Sequence, residues 1–183
     1  MDRKWICELL PELAQVRDEA LRNLTADAIL AAIQQGGWNE ESIHRVPVTL
    51  NWRGCQCNLI EHIRAVTRMC IDSYPTAARL FEQNGVPFER DVVVSGALLH
   101  DIGKFTEFAL RDGKIVRGEN ADYLRHPLAG AILAWNAGLP PKLIHLIAVH
   151  SFEGERSYQS PESSFVRTVD DLIFKCTVFG LQK

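Results

Sequence analysis

The sequence of 183 residues lacks any apolar run approaching the roughly 18 residues that a membrane-crossing helix needs. Its densest apolar stretch, Asp91 to Leu99, has the length of a buried core helix. It also lacks an excess of positive charge, since 20 Lys and Arg stand against 23 Asp and Glu for a net charge of −3. Binding of nucleic acid or membrane surfaces by bulk charge is thereby excluded, and an anionic ligand must be met by local charge or by metal. Glycine and proline are scarce, at 12 and 8 residues, and 46% of the chain is apolar, which excludes disorder as its main theme. Cysteines are few, odd in number and scattered at 7, 55, 57, 70 and 176. Free thiols in a reducing, cytoplasmic setting are expected. The Cys55/Cys57 pair has no second pair to complete a metal site. The N-terminal MDRKWICELL puts acidic and polar residues where a secretory segment needs an apolar stretch. A chain of this length makes about one domain, with a core that needs no disulfide staples.

What is present is helical periodicity. Trp5, Ile6, Leu9, Leu10 and Leu13 recur at three- and four-residue steps, as do Leu21, Leu24, Ala28, Ile29, Ala32 and Ile33. Thr25 is the expected N-cap of the second set, which Gly36-Gly37 ends. A helix is predicted over 58–73, and a nearly all-apolar, buried one over 91–104. The least helical part is 105–124, where Arg111-Asp112-Gly113-Lys114 between short apolar pieces predicts a small β-hairpin, around 106–120. Pro127 and Pro140-Pro141 suit helix starts, with Gly138 closing the helix between them. A final helix from about 164 follows a polar loop. The expected architecture is all-α, with residues 1–50 as a helical extension packed on a unit spanning 51–183.

The informative residues are polar ones facing the core. His62 shares a stripe with Leu59, Val66 and Met69. His100-Asp101 closes the most apolar helix, where a carboxylate is costly to bury unless paired or bound to a cation. Lys104, three residues past Asp101, can reach the same pocket. Small residues Ser95, Gly96 and Ala97 allow another helix to approach closely. His126 precedes Pro127, which biases it towards an N-cap at a helix mouth. His150 ends a helix on the face of Leu143, Leu146 and Ile147. Asp170 shares a stripe with Val166, Ile173 and Phe174, whereas Asp171 sits with Arg167 and Lys175 on an ion-pair surface. His145 and His44 read as structural, and Trp135 as core packing. Each inward polar group has an ordinary explanation alone. Six on separate helices have one shared explanation, a metal site in a helical bundle. Imidazole and carboxylate donors suit Mn, Fe, Co, Ni or Zn, with Mg possible.

This constellation resembles the HD-domain superfamily of metal-dependent phosphohydrolases, whose pattern here reads His62 … His100-Asp101 … His126 … His150 … Asp170. The LLHDIGK, LIEHIRAV and RHPLAGAIL segments carry the resemblance over about 58–178. The full histidine set is similar to the dinuclear members, among them cyclic-dinucleotide phosphodiesterases and diadenosine tetraphosphate hydrolases. By that resemblance His62, His100, Asp101 and Asp170 would hold a first ion, and Asp101 would bridge to a second held by His126 and His150. The implied activity is hydrolysis of a nucleotide-type phosphoester, a diester favoured, by metal-activated water, with Asp101 and Lys104 catalytic. Lys104 would meet charge developing on the phosphoryl oxygens. Arg111, Arg117, Arg125 and Arg156 are candidates for holding the rest of the substrate. No GYP signature is present, so a cyclic-di-GMP substrate has no support. The superfamily's diiron oxygenases, an alternative reading, carry a histidine where Lys104 stands. A metal-binding, non-catalytic signalling domain is the other alternative, and Lys104 beside a complete ligand set weighs against it.

Overall fold

The computed structural model of the chain describes residues 1–51 and 55–179. The elements are α1 (Arg3–Leu9), a 3-10 turn over Pro11–Gln15, α2 (Glu19–Gln35), α3 (Leu59–Gln83), α4 (Arg90–Leu99) and α5 (Lys104–Glu107). They continue as β1 (Phe108–Arg111), β2 (Lys114–Arg117), α6 (His126–Asn136), α7 (Pro141–Val149) and α8 (Pro161–Phe179). The fold is thus the expected helical bundle with a small hairpin. Residues 52–54 and 180–183 of the expected 51–183 unit lie outside the described residues.

Local chemistry explains most boundaries. Asn58 and Glu61 form a reciprocal capping box that starts α3, each side chain accepting from the other's backbone N–H at 2.9 and 3.2 Å. The hairpin pairs Phe108 with Arg117 and Arg111 with Lys114 in antiparallel register. Its turn puts Asp112 and Gly113 at φ of 49° and 74°, the left-handed pair that a tight two-residue turn requires.

Several predicted boundaries are corrected. Pro11 ends α1 early, so Leu13 sits in the 3-10 turn. The N-cap of α2 is Asp18, accepting from Leu21 N–H at 3.0 Å, while Thr25 lies inside the helix with its hydroxyl donating to Leu21 O. α3 continues past Ser73 and through Pro75 to Gln83. On either side of the proline, Tyr74 and Phe81 both pack on Phe88, and the Tyr74 hydroxyl donates to Phe88 O at 2.7 Å. α4 stops at Leu99 and not at Lys104, because the chain tightens into a turn through His100, Asp101, Ile102 and Gly103. Its N–H groups there reach back only three residues, Ile102 to Leu99 and Lys104 to Asp101. His126 is the first residue of α6, capped by Arg125, and α8 begins at Pro161.

α4 is the central helix. It is buried from Val92 to Leu99 and packs against α2, α3, α7 and α8. Ile6, Leu10, Leu13, Ile29 and Ile33 belong to the same core cluster as Ile63, Leu98, Phe105 and Ile147. Missing Cβ atoms set the close approaches. A Cβ on Gly96 would lie 2.4 Å from Leu146 Cδ1, and one on Gly130 would lie 2.8 Å from Ile147 Cγ2. At Gly103 a Cβ would fall 2.0 Å from His126 O, in the backbone of α6 itself. That contact seats the first turn of α6 directly on the His100–Gly103 turn.

Gly103 has an ordinary helical φ of −64°, so its requirement is steric. Gly103→Ala is expected to destabilise by about 3 kcal/mol, the upper end for overpacking, since backbone cannot rotate aside. Chemical denaturation would measure this, and an unchanged midpoint would mean that the turn and α6 are not in such close contact.

Candidate metal centre

Five segments deliver ionisable side chains to one place. α3 supplies His62, the turn after α4 supplies His100 and Asp101, and α6 supplies His126. His150 caps α7 and Asp170 lies in the middle of α8. They form two groups whose nearest ligand atoms lie within 4.8 Å of one another: His62, His100 and Asp170, then Asp101, His126 and His150. Asp101 belongs to the second group but faces both. Its Oδ2 is 3.5 Å from His62 Nε2 and 3.4 Å from His100 Nε2, and its Oδ1 is 3.5 Å from His126 Nε2 and 3.4 Å from His150 Nε2. His62 Nε2 and Asp170 Oδ1 are 2.9 Å apart.

The outer ring nitrogens are held by the fold. His100 Nδ1 donates to Ala97 O and His150 Nδ1 to Ile147 O, each at 2.7 Å. His126 Nδ1 donates to Glu107 Oε2 at 3.0 Å, and His126 N–H reaches the same oxygen at 2.8 Å. With Nδ1 protonated in each, the Nε2 lone pairs face inward, the arrangement that orients a metal-binding histidine. Glu107 was not singled out from sequence, where it is one more charged residue beside a hairpin. Only the chain reversal carries it under His126.

The electrostatics favour unprotonated ligands at His62, His126, Asp101 and Asp170. Burial pushes His62 down, against its hydrogen bond to Asp170, and pushes His126 down to about 4, against Glu107. Burial would raise Asp101, but the Lys104 ammonium, bonded to Oδ2 at 2.7 Å, and the His100 charge outweigh it and hold the carboxyl well below its usual range. Asp170 is likewise held at about 2, where the His100 charge and the His62 hydrogen bond overcome burial. His100 alone goes up, because Asp101 and Asp170 outweigh its complete burial.

These residues fit divalent ions. Asp101 Oδ1 and His150 Nε2 are buried without a hydrogen-bond partner, an arrangement that is expensive unless something else meets the lone pairs. Nitrogen and carboxylate oxygen donors in two groups suit transition ions. The clusters open onto a cavity of about 440 Å³ also lined by Lys104, Arg117, Arg125 and Arg167. Arg125 lines it, tied to Glu107 Oε1 and, at 3.1 Å, to Glu153. Arg111 and Arg156 are exposed and do not line it: Arg111 ends β1 at the hairpin tip, and Arg156 lies in the turn past the cavity. Arg167 was missed, having been read only as a surface partner of Asp171. Trp135 is not core, with 69% of its surface exposed. Asp171 points outward to Lys175, as its stripe predicted. Cys55 and Cys57 are free thiols and join neither cluster.

The two clusters make separate expectations for ion binding. His126→Ala should remove about one equivalent of metal and leave the other. Glu107→Gln should weaken that same ion about 10- to 100-fold, the usual effect of losing a carboxylate behind a ligand histidine. Titration with Co²⁺ followed by visible absorbance reads both, and unchanged stoichiometry in His126→Ala would contradict a second ion site there.

A dihydroneopterin 2′,3′-cyclic phosphate phosphodiesterase of Methanocaldococcus jannaschii is 28% identical over 123 residues, covering 67% of this chain and 47% of the relative. The chain thus spans about half the length of that relative. No solved structure matches it. The HD domain model matches residues 59–173, from the first turn of α3 to the stripe of Asp170 on α8, and the chain belongs to the HD-domain family.

Proposed function

We propose that the protein is a metal-dependent phosphohydrolase that cleaves a nucleotide-type phosphoester, with a diester favoured. One observation carries the reading: Asp101 presents one oxygen to each of two His/Asp groups where they open onto a cavity that Lys104 and three arginines also line. The relative's name, a 2′,3′-cyclic phosphate phosphodiesterase, supports a diester over a monoester. In this reading His62, His100, Asp101 and Asp170 hold one divalent ion, and Asp101, His126 and His150 hold another. Residues 1–50 form an extension packed on the HD unit of 51–183. Among the described residues no helix is long and apolar enough to cross a membrane.

Bound ions would supply Lewis-acid polarisation of the phosphoryl oxygens and a water acidified towards neutrality. The chain's own residues do the rest. Buried backbone carbonyls and Glu107 fix the imidazoles, so no rotation is needed when substrate arrives. Lys104, the lining cation bonded to Asp101, meets the negative charge that builds on the phosphoryl oxygens. Arg117, Arg125 and Arg167 line the cavity and are placed to hold the remaining anionic oxygens. Lysine at 104 also separates this site from the oxygenase pattern, which requires a further imidazole at that position.

Lys104→Ala should lower turnover by about two to three orders of magnitude with metal content unchanged, and full activity would remove Lys104 from the mechanism. The reading as a whole is tested by elemental analysis of never-chelated protein beside turnover of bis-p-nitrophenyl phosphate and p-nitrophenyl phosphate. Two equivalents of transition metal with diester cleavage are expected. One equivalent with monoester cleavage would move the assignment to a nucleotidase, and two irons without cleavage would move it to an oxygenase.

A further inference from the structure

We infer that the rim of this cavity carries a stacking platform, Phe152, for a planar aromatic substituent of the substrate, such as a nucleobase. The inference rests on the phosphohydrolase reading and adds to it the residue that would hold the ring of the substrate.

Phe152 lies two residues after His150 and is 64% exposed, although it lines the cavity. A single exposed apolar side chain is ordinary on a protein surface. What distinguishes this one is the backbone beneath it. Phe152 opens a short 3-10 turn ending at Gly154, closed by Gly154 N–H to Ser151 O at 3.0 Å and Glu155 N–H to Phe152 O at 3.1 Å. The Gln159 side-chain amide donates to Val149 O and Gly154 O, at 3.3 and 3.1 Å. Arg125 ties Glu153 to the N-cap of α6 at 3.1 Å. Gly154 sits so close to α7 that a Cβ would lie 2.3 Å from Val149 O. The ring is thus presented on a mount clamped from several sides, with its aromatic surface left to solvent.

The lining of the cavity combines two chemistries. The His/Asp clusters, Lys104 and the arginines suit a phosphoryl group, while Phe152 and Phe174, one turn beyond Asp170, add aromatic surface to the same lining. A phosphate ester without a ring would use only the charged groups. A volume of about 440 Å³ lies within the range of small-ligand sites and has room for both parts of such a molecule. Stacking of a base on an aromatic side chain is worth roughly tenfold or more in affinity, whichever base is present.

The test compares two cyclic phosphodiesters, adenosine 2′,3′-cyclic monophosphate and the ring-free glycerol 1,2-cyclic phosphate, on wild type and Phe152→Ala with metal bound. The variant should raise KM about tenfold for the adenosine ester, keep kcat within about twofold, and leave KM for the glycerol ester unchanged; Phe152→Trp should restore the lower KM. An unchanged KM for the adenosine ester, or equal shifts for both esters, would overturn the platform. If wild type cleaves neither ester, the diesterase reading falls, and equilibrium binding of adenosine 5′-phosphate against ribose 5-phosphate judges the platform separately. A preference of about tenfold for the adenosine ligand that Phe152→Ala abolishes would sustain it; no preference in wild type would sink it.

Discussion

The structure is organised around a carboxylate that ordinarily has no place in an apolar core. Asp101 is fully buried, beyond the end of a helix that is buried from Val92 to Leu99. An ion taken out of water costs several kcal/mol even after the protein relaxes, unless partners surround it. Lys104 provides the direct counter-charge at 2.7 Å, and four imidazole nitrogens stand at 3.4 to 3.5 Å. The end of α4 serves the same requirement. Had the helix run on to Lys104, Asp101 would have kept its helical neighbours and stayed on one face. The turn from His100 to Gly103 lets its two oxygens look towards opposite clusters.

That turn is possible only because glycine stands at both sides of its contact with α6. Gly103 lies under His126 O, and a Cβ on Gly130 would come within 3.3 Å of Gly103 N. Gly96 gives α7 the same closeness to α4 through Leu146. Such contacts fix the heights at which His126 and His150 enter the core. The hairpin contributes through its approach, because Glu107 ends α5 just before β1 and reaches back to His126. The metal-cluster geometry is therefore a property of helix packing, held by backbone contact and one buried carboxylate.

The inward histidines and aspartates were legible because helical spacing alone separates Asp170 from Asp171 and places His62 on its stripe. Periodicity does not say which apolar stripe another helix covers. α6 shows the difference: Ala131 and Ala134 are buried, whereas Leu128, Ile132 and Trp135, at four- and three-residue steps, form an exposed face. Trp135 was placed in the core for that reason. Proline is similarly ambiguous, since Pro11 ends a helix while Pro75 does not, the aromatic packing around Phe88 deciding the second case. Glu107, Phe152 and Arg167 carried no local signal. Their surroundings come from chain reversals and from elements distant in sequence.

Protonation completes the picture of why these groups share one site. Burial keeps His62 and His126 neutral, and neighbouring cationic groups keep Asp101 and Asp170 ionised. His100 departs from this pattern because it sits between both carboxylates, with Nε2 at 3.4 Å from Asp101 and 3.7 Å from Asp170. Its Nδ1 proton is already committed to Ala97 O, so any second proton must sit on Nε2, the atom that a metal ion would need. A proton and a divalent cation thus compete for the same place between the same two carboxylates. The competition turns on net charge: a proton leaves the acidic pair only partly balanced, while a divalent ion would balance it more fully. The burial that makes these carboxylates costly to place in an apolar core would, by the same electrostatics, favour a cation between them.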